Sequence, residues 1–163
     1  RGEVALGRQA LLMAVPGLPP EEATGIIQFA GLLGRLSPAG VALLAEARVE
    51  ARAGRPREAA DRLADGVAGL PAEERAPLLA EAARLVEETD AERAAELRRT
   101  LLEKHWEAAE AGEAALELAR ALADRPGGRE EAVALLERLI TERPRAAVVP
   151  VARRELERLK EEG

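Results

Sequence analysis

The sequence predicts an all-α chain folded as an α-solenoid, a stack of antiparallel helical hairpins. Three observations predict it. Alanine supplies 36 of the 163 residues and leucine 25, only Phe29 and Trp106 are aromatic, and Cys, Tyr and Asn are absent; sandwiches and barrels draw instead on Val, Ile, Thr and aromatics. Proline and glycine punctuate the chain at short intervals, and every segment between them has helical apolar spacing. The links are about two to six residues long, which returns each helix against the one before it.

Glu3 to Val15 is an apolar helix closed by Pro16-Gly17. Pro19-Pro20-Glu21-Glu22 opens a second, with proline and acids in its first turn, and Ala23, Ile26, Ile27, Ala30 and Leu33 lead to Gly34. Ser37-Pro38 is an N-cap followed by proline at the first helical position; that helix runs to about Ala53 and Gly54. A short helix follows from Arg57 to Val67, then one over Ala72–Glu88 with Leu78, Leu79, Ala82, Leu85 and Val86 on one face. Thr89 with Glu92 three residues on reads as a capping box, and no Gly or Pro interrupts the chain before Gly112, so a long helix is expected there. Glu113–Asp124, Arg129–Glu142 and a last helix over 148–161 complete nine helices and no strand.

An internal repeat chooses the stack over a closed bundle. Gly54, Ala59, Leu63, Val67 and Pro71 recur 73 residues later as Gly127, Ala132, Leu136, Ile140 and Pro144. Glycine suits the turn of a hairpin, alanine a close helix crossing, leucine the gap beside it, and proline the end of the second helix. This pattern resembles the tetratricopeptide repeat, whose period is about 34 residues. The resemblance implies a right-handed superhelix in a single domain, 1–163. Its parts are an N-terminal hairpin over 1–36, repeats over 40–73, 74–112 and 113–146, and a capping helix over 148–161. The middle repeat departs from the pattern: Thr89 or Asp90 replaces the glycine, Ala94 or Ala95 the small residue, and no proline closes it.

Catalytic chemistry is not expected, nor is a cofactor or metal. A helical metal site needs a second ligand one turn away, and around His105, the only histidine, those positions are Leu101, Leu102, Ala108 and Ala109. Ser37, the only serine, precedes proline and reads as a cap rather than a nucleophile. Gly127-Gly128 reads as a turn, and no phosphate-binding glycine motif is present. With 24 basic and 30 acidic residues the chain is net −6, the wrong balance for nucleic acid; Arg98-Arg99 and Arg153-Arg154 are interleaved with Glu. No apolar run reaches membrane-spanning length. Trp106 reads as a core anchor. Arginine outnumbers lysine 22 to 2, the codon signature of a GC-rich, bacterial genome. The chain opens at Arg1 rather than Met, which suits removal of an upstream segment and leaves cytoplasmic, periplasmic and extracellular placement open.

What remains is interaction. The resemblance implies that the first helix of each repeat lines a concave groove, here with Leu44, Arg48 and Arg52, then Leu79, Ala83 and Val86. Arg48 and Arg52 stand four apart on one helical face and are expected to grip an acidic group of a peptide or helix. The family's chaperone-tail clamp needs groove asparagines, which this chain lacks. The alternative is a structural subunit that assembles through its solenoid ends into an oligomer or filament. Leu11, Leu12, Ile27 and Phe29 of the apolar N-terminal hairpin would then form the contact. An accessory domain of a larger chain is a third reading. The repeat alignment makes one prediction: Ala132→Trp lowers the melting temperature more than Ala134→Trp, because only Ala132 sits at a helix crossing, where overpacking costs about 1–3 kcal/mol. Equal melting temperatures for the two variants would count against the alignment.

Overall fold

The structure is a computed structural model and describes residues 2–161. Among the described residues it is all-helical: α1 (Gly2–Met13), α2 (Pro20–Arg35), α3 (Pro38–Arg52), α4 (Pro56–Gly66), α5 (Ala72–Val86), α6 (Ala91–His105), α7 (Ala111–Ala123), α8 (Arg129–Glu142) and α9 (Val149–Glu161), with a 3-10 turn at Val67–Gly69 and no strand. The first turns of α2, α3 and α4 contain proline, where its missing N–H would have had no helical partner.

Packing runs between consecutive helices. α1 lies on α2, and from α3 to α9 each helix lies on the next; α3 also meets α5, and α7 meets α9. Each helix from α3 onward brings at least one alanine of 0–1% exposure to these contacts: Ala47, Ala59, Ala82, Ala94, Ala115, Ala132 and Ala152. Leu44, Leu63, Leu78, Leu101, Leu136 and Leu139 fill the space beside them and are the largest fully buried side chains. Ala132 is fully buried and Ala134 is exposed. α2 joins this core through side chains: Leu32 is part of it, and Phe29, Leu33 and Leu36 pack against it.

The two aligned glycines both adopt left-handed backbone, with φ of +79° at Gly54 and +77° at Gly127. They do so in different turns. After α3, the Arg55 N–H reaches the Glu50 carbonyl (3.1 Å) and the Gly54 N–H the Ala51 carbonyl (3.0 Å), a Schellman closure of the helix end. After α7, the Gly128 N–H bonds the Arg125 carbonyl (3.0 Å) across Pro126-Gly127, the proline–glycine order that a type II turn demands.

The middle hairpin corrects two expectations. Asp90, not Thr89, caps α6, its side chain accepting the Arg93 N–H at 2.9 Å; the Thr89 hydroxyl donates to the Val86 carbonyl instead. Nor does a long helix reach Gly112. α6 ends at His105 without glycine or proline, because the carbonyl of Trp106 is taken by the Arg143 guanidinium and the indole lies under Arg138, 3.8 Å from its guanidinium carbon. Trp106 is therefore half-buried, packing against the edge of the core between α6 and α8. Pro77 stands inside α5, near enough to its start that the carbonyl left without a donor belongs to exposed Glu73.

The start of α3 is clasped by α5. Ser37 caps α3 through Gly40 N–H (3.2 Å), and the buried Glu74 carboxylate accepts both the Ser37 N–H (2.8 Å) and the Ser37 hydroxyl (3.0 Å). A carboxylate at a helix N-terminus also meets the positive end of the macrodipole. Glycine at 40 makes room for it: a Cβ there would overlap Glu74 Oε2. Gly40→Ala is therefore expected to displace a carboxylate only 3% exposed from its donors and to lower stability by about 1–3 kcal/mol. In a double-mutant cycle, adding Glu74→Ala to Gly40→Ala costs less than the two separate losses summed, since both break one contact. Strict additivity in denaturant unfolding would refute the clasp.

Candidate functional site

A line of alternating charges runs over the surface of α3, α5 and α7. Arg48 of α3 pairs with Glu81 of α5 (2.5 Å), Glu81 with Arg84 one turn on (3.3 Å), and Arg84 with Glu113 of α7 (3.8 Å). Glu81 is 4% exposed, so its two carboxylate oxygens are held by two guanidiniums in place of water.

α2 covers the α3 end of this surface. Its Phe29 ring lies 3.9 Å from the guanidinium carbon of Arg48, and Gly25 and Gln28 line the same hollow with Arg84 and Leu85. Farther along, an open recess of about 310 Å³ lies between α5, α6 and α7. Ala80, Ala83 and Ala114 form its apolar part, Arg84 and Arg98 its positive groups, and Glu87, Glu110, Glu113 and Glu117 its negative ones. Each of these charges is paired within the chain. Arg98, only 6% exposed, is bonded by Glu87; Arg35 at the end of α2 reaches Glu110 (2.8 Å), and Arg120 holds Glu117 (2.8 Å).

The residues expected to line a groove are divided by this geometry. Leu44, Leu79 and Val86 are core side chains, 0–3% exposed, so they face neighbouring helices and not an open surface. Ala83 is almost as buried and still contributes to the recess. Arg48 is committed to Glu81 and Phe29, so it does not form a free clamp with Arg52, which is exposed. Phe29 is half-buried beneath Arg48 rather than presented for assembly, and Leu11 is half-buried; Leu12 and Ile27 are exposed at 43% and 51%.

Sequence reasoning did not place Glu81, Arg84 or Glu113 at a site, because it read groove residues from helical spacing alone. Several ion pairs instead join residues 32–33 apart. Arg48–Glu81 and Arg57–Asp90 are 33 residues apart, Asp61–Arg93 and Arg99–Glu131 32. A search for opposite charges at that offset would have found Glu81; Arg84–Glu113 and Glu87–Arg98 pair at other separations.

No group of three or more potential metal ligands comes together among the described residues, and no helix is long and apolar enough to cross a membrane. His105 is half-buried, and its pKa is held below the ordinary histidine value first by burial and then by the positive charges of Arg75 and Lys104. No protein-family model, curated protein or solved structure matches the chain.

The stacking of Phe29 on Arg48 makes a measurable prediction. In a double-mutant cycle of Phe29→Leu and Arg48→Met, the coupling energy by urea unfolding is about 0.5–2 kcal/mol, the range of a partly desolvated cation–π contact. A coupling of zero would detach α2 from the face it covers.

Proposed function

We propose that this protein is a non-catalytic interaction module, a scaffold or adaptor that takes a peptide or helix along the surface of α3, α5 and α7. The architecture behind this reading is the hairpin stack, a tetratricopeptide-like solenoid. The contacts of α3 with α5 and of α7 with α9, and the ion pairs recurring at 32–33 residues, support it.

The observation that carries the reading is the recess between α5, α6 and α7, where alanines and charged groups from three helices meet beside open solvent. Glu113, 55% exposed and held by Arg84 only at 3.8 Å, favours a basic segment over the acidic one expected from Arg48 and Arg52. Because those charges already have partners, a bound segment exchanges ion pairs, which contributes little at a surface. Affinity then comes from apolar side chains set on Ala83 and Ala114, and charge supplies register and on-rate.

Selection from a random peptide library tests this. Enriched sequences are expected to carry Lys or Arg beside apolar residues. Their affinity, read by fluorescence anisotropy, falls at least tenfold for Glu113→Lys/Glu117→Lys while the helical far-ultraviolet spectrum is retained. Peptides that bind the double variant equally well, or that are enriched in acids, would overturn the proposal.

A further inference from the structure

Of the four glutamates around the recess, three are held by the helices that build it. Glu87 is held by Arg98 of α6, Glu113 by Arg84 of α5, and Glu117 by Arg120 of α7 itself. Glu110, the residue just before α7, is held from outside. Its Oε1 accepts a hydrogen bond from Arg35 of α2 at 2.8 Å, across 75 residues of sequence. The two partners are unequally covered: the Glu110 side chain is 12% exposed and the Arg35 side chain 54%. The carboxylate is seated in the protein, and the guanidinium reaches it from the solvent side. Arg35 is the last residue of α2, and the chain around it is fixed. Leu32 belongs to the core, Leu36 packs against it, and the Ser37 N–H bonds Glu74. Rotation of the Arg35 side chain alone therefore releases Glu110, with no helix displaced.

We infer that Arg35 is a built-in competitor for the recess, an autoinhibitory latch that holds at Glu110 the place of a cation from a bound basic segment. The inference rests on the reading of the recess proposed above and adds its regulation. Glu110 and Glu113 stand three residues apart at the start of α7, a spacing that makes them neighbours on a helix, with Cβ atoms about 5–6 Å apart. Glu113 is the open one of the two, 55% exposed and met by Arg84 only at 3.8 Å, so it takes a first cation directly. A second cation reaches Glu110 only in exchange for Arg35. That exchange swaps one guanidinium for another, and the positive charge of Arg35 also opposes the approach of the second cation. The latch tunes the recess rather than shutting it. An ion pair with one half-exposed partner is weak, and its loss corresponds to about a two- to fivefold change in affinity.

Fluorescence anisotropy of the full chain with a labelled peptide of alternating leucine and arginine tests the latch. Alternate residues of an extended strand lie about 7 Å apart, so successive arginines of this peptide reach both carboxylates. Arg35→Met is expected to bind it about two- to fivefold more tightly than the wild-type chain, with the helical far-ultraviolet spectrum unchanged. The gain requires Glu110: in the Glu110→Gln background, adding Arg35→Met brings no further affinity. Arg52→Met, which removes the same charge from an exposed position on α3, is the control and leaves binding unchanged. Equal affinity in the wild type and Arg35→Met, a gain that persists without Glu110, or no binding by either chain would each overturn the inference. The reading of the recess fails separately. Binding indifferent to Glu113→Lys/Glu117→Lys strikes that reading, whereas binding that responds to this pair and not to Arg35→Met strikes the latch alone.

Discussion

Each helix from α3 to α9 carries a buried alanine at its contacts, and the distance between helices follows from it. Alanine at a crossing lets backbones approach closely, and leucines one turn away fill the gaps that the crossing leaves. The arrangement is intolerant of volume: a larger residue at Ala59 or Ala132 has nowhere to go, since both are 0% exposed. It is also modest in apolar area per residue, because a methyl group buries little.

That modest core explains why so many polar ties join one hairpin to the next. Glu74 grips the start of α3, Glu81 holds Arg48, and Arg57, Arg93 and Arg99 reach across to the neighbouring hairpin. The exposed pairs contribute little stability each. The buried carboxylates behave differently. Removing a partner of Glu74 or Glu81 leaves a desolvated charge, so these two contacts set the register of α3 on α5 more firmly than any surface pair. The same line of charge supplies the recess with its groups, which ties the candidate site to the element that positions it.

The N-terminal hairpin is built on another plan. From α3 onward apolar side chains are mostly covered and charges are dense; in α1 and α2 leucine, isoleucine, methionine and glycine face outward with few charges. Phe29 and Arg35 fasten α2 to the rest at two points, on Arg48 and on Glu110. The hairpin is thus tied to the rest of the chain while Leu6, Leu12, Met13 and Ile27 remain exposed.

The sequence by itself determined the helical class, nine helices, most of their starts and stops, and the two turn glycines, because each of these follows from residues within a few positions of one another. Proline at a first turn, serine at a cap and glycine at positive φ act locally, and the 73-residue offset made the last visible twice. The end of α6 escaped because what stops it, the bond from Arg143 to the Trp106 carbonyl, comes from 37 residues away. The candidate site escaped for the same reason. A helical wheel shows that Leu79 and Val86 are apolar, but not whether solvent or another helix lies opposite; with α4 and α6 packed on α5, both are covered. Arg48 likewise has an acid in reach only once α3 and α5 are side by side. Which apolar stripe is core, and which charge is already spent, depends on the placement of whole helices, and only the tertiary structure decided that.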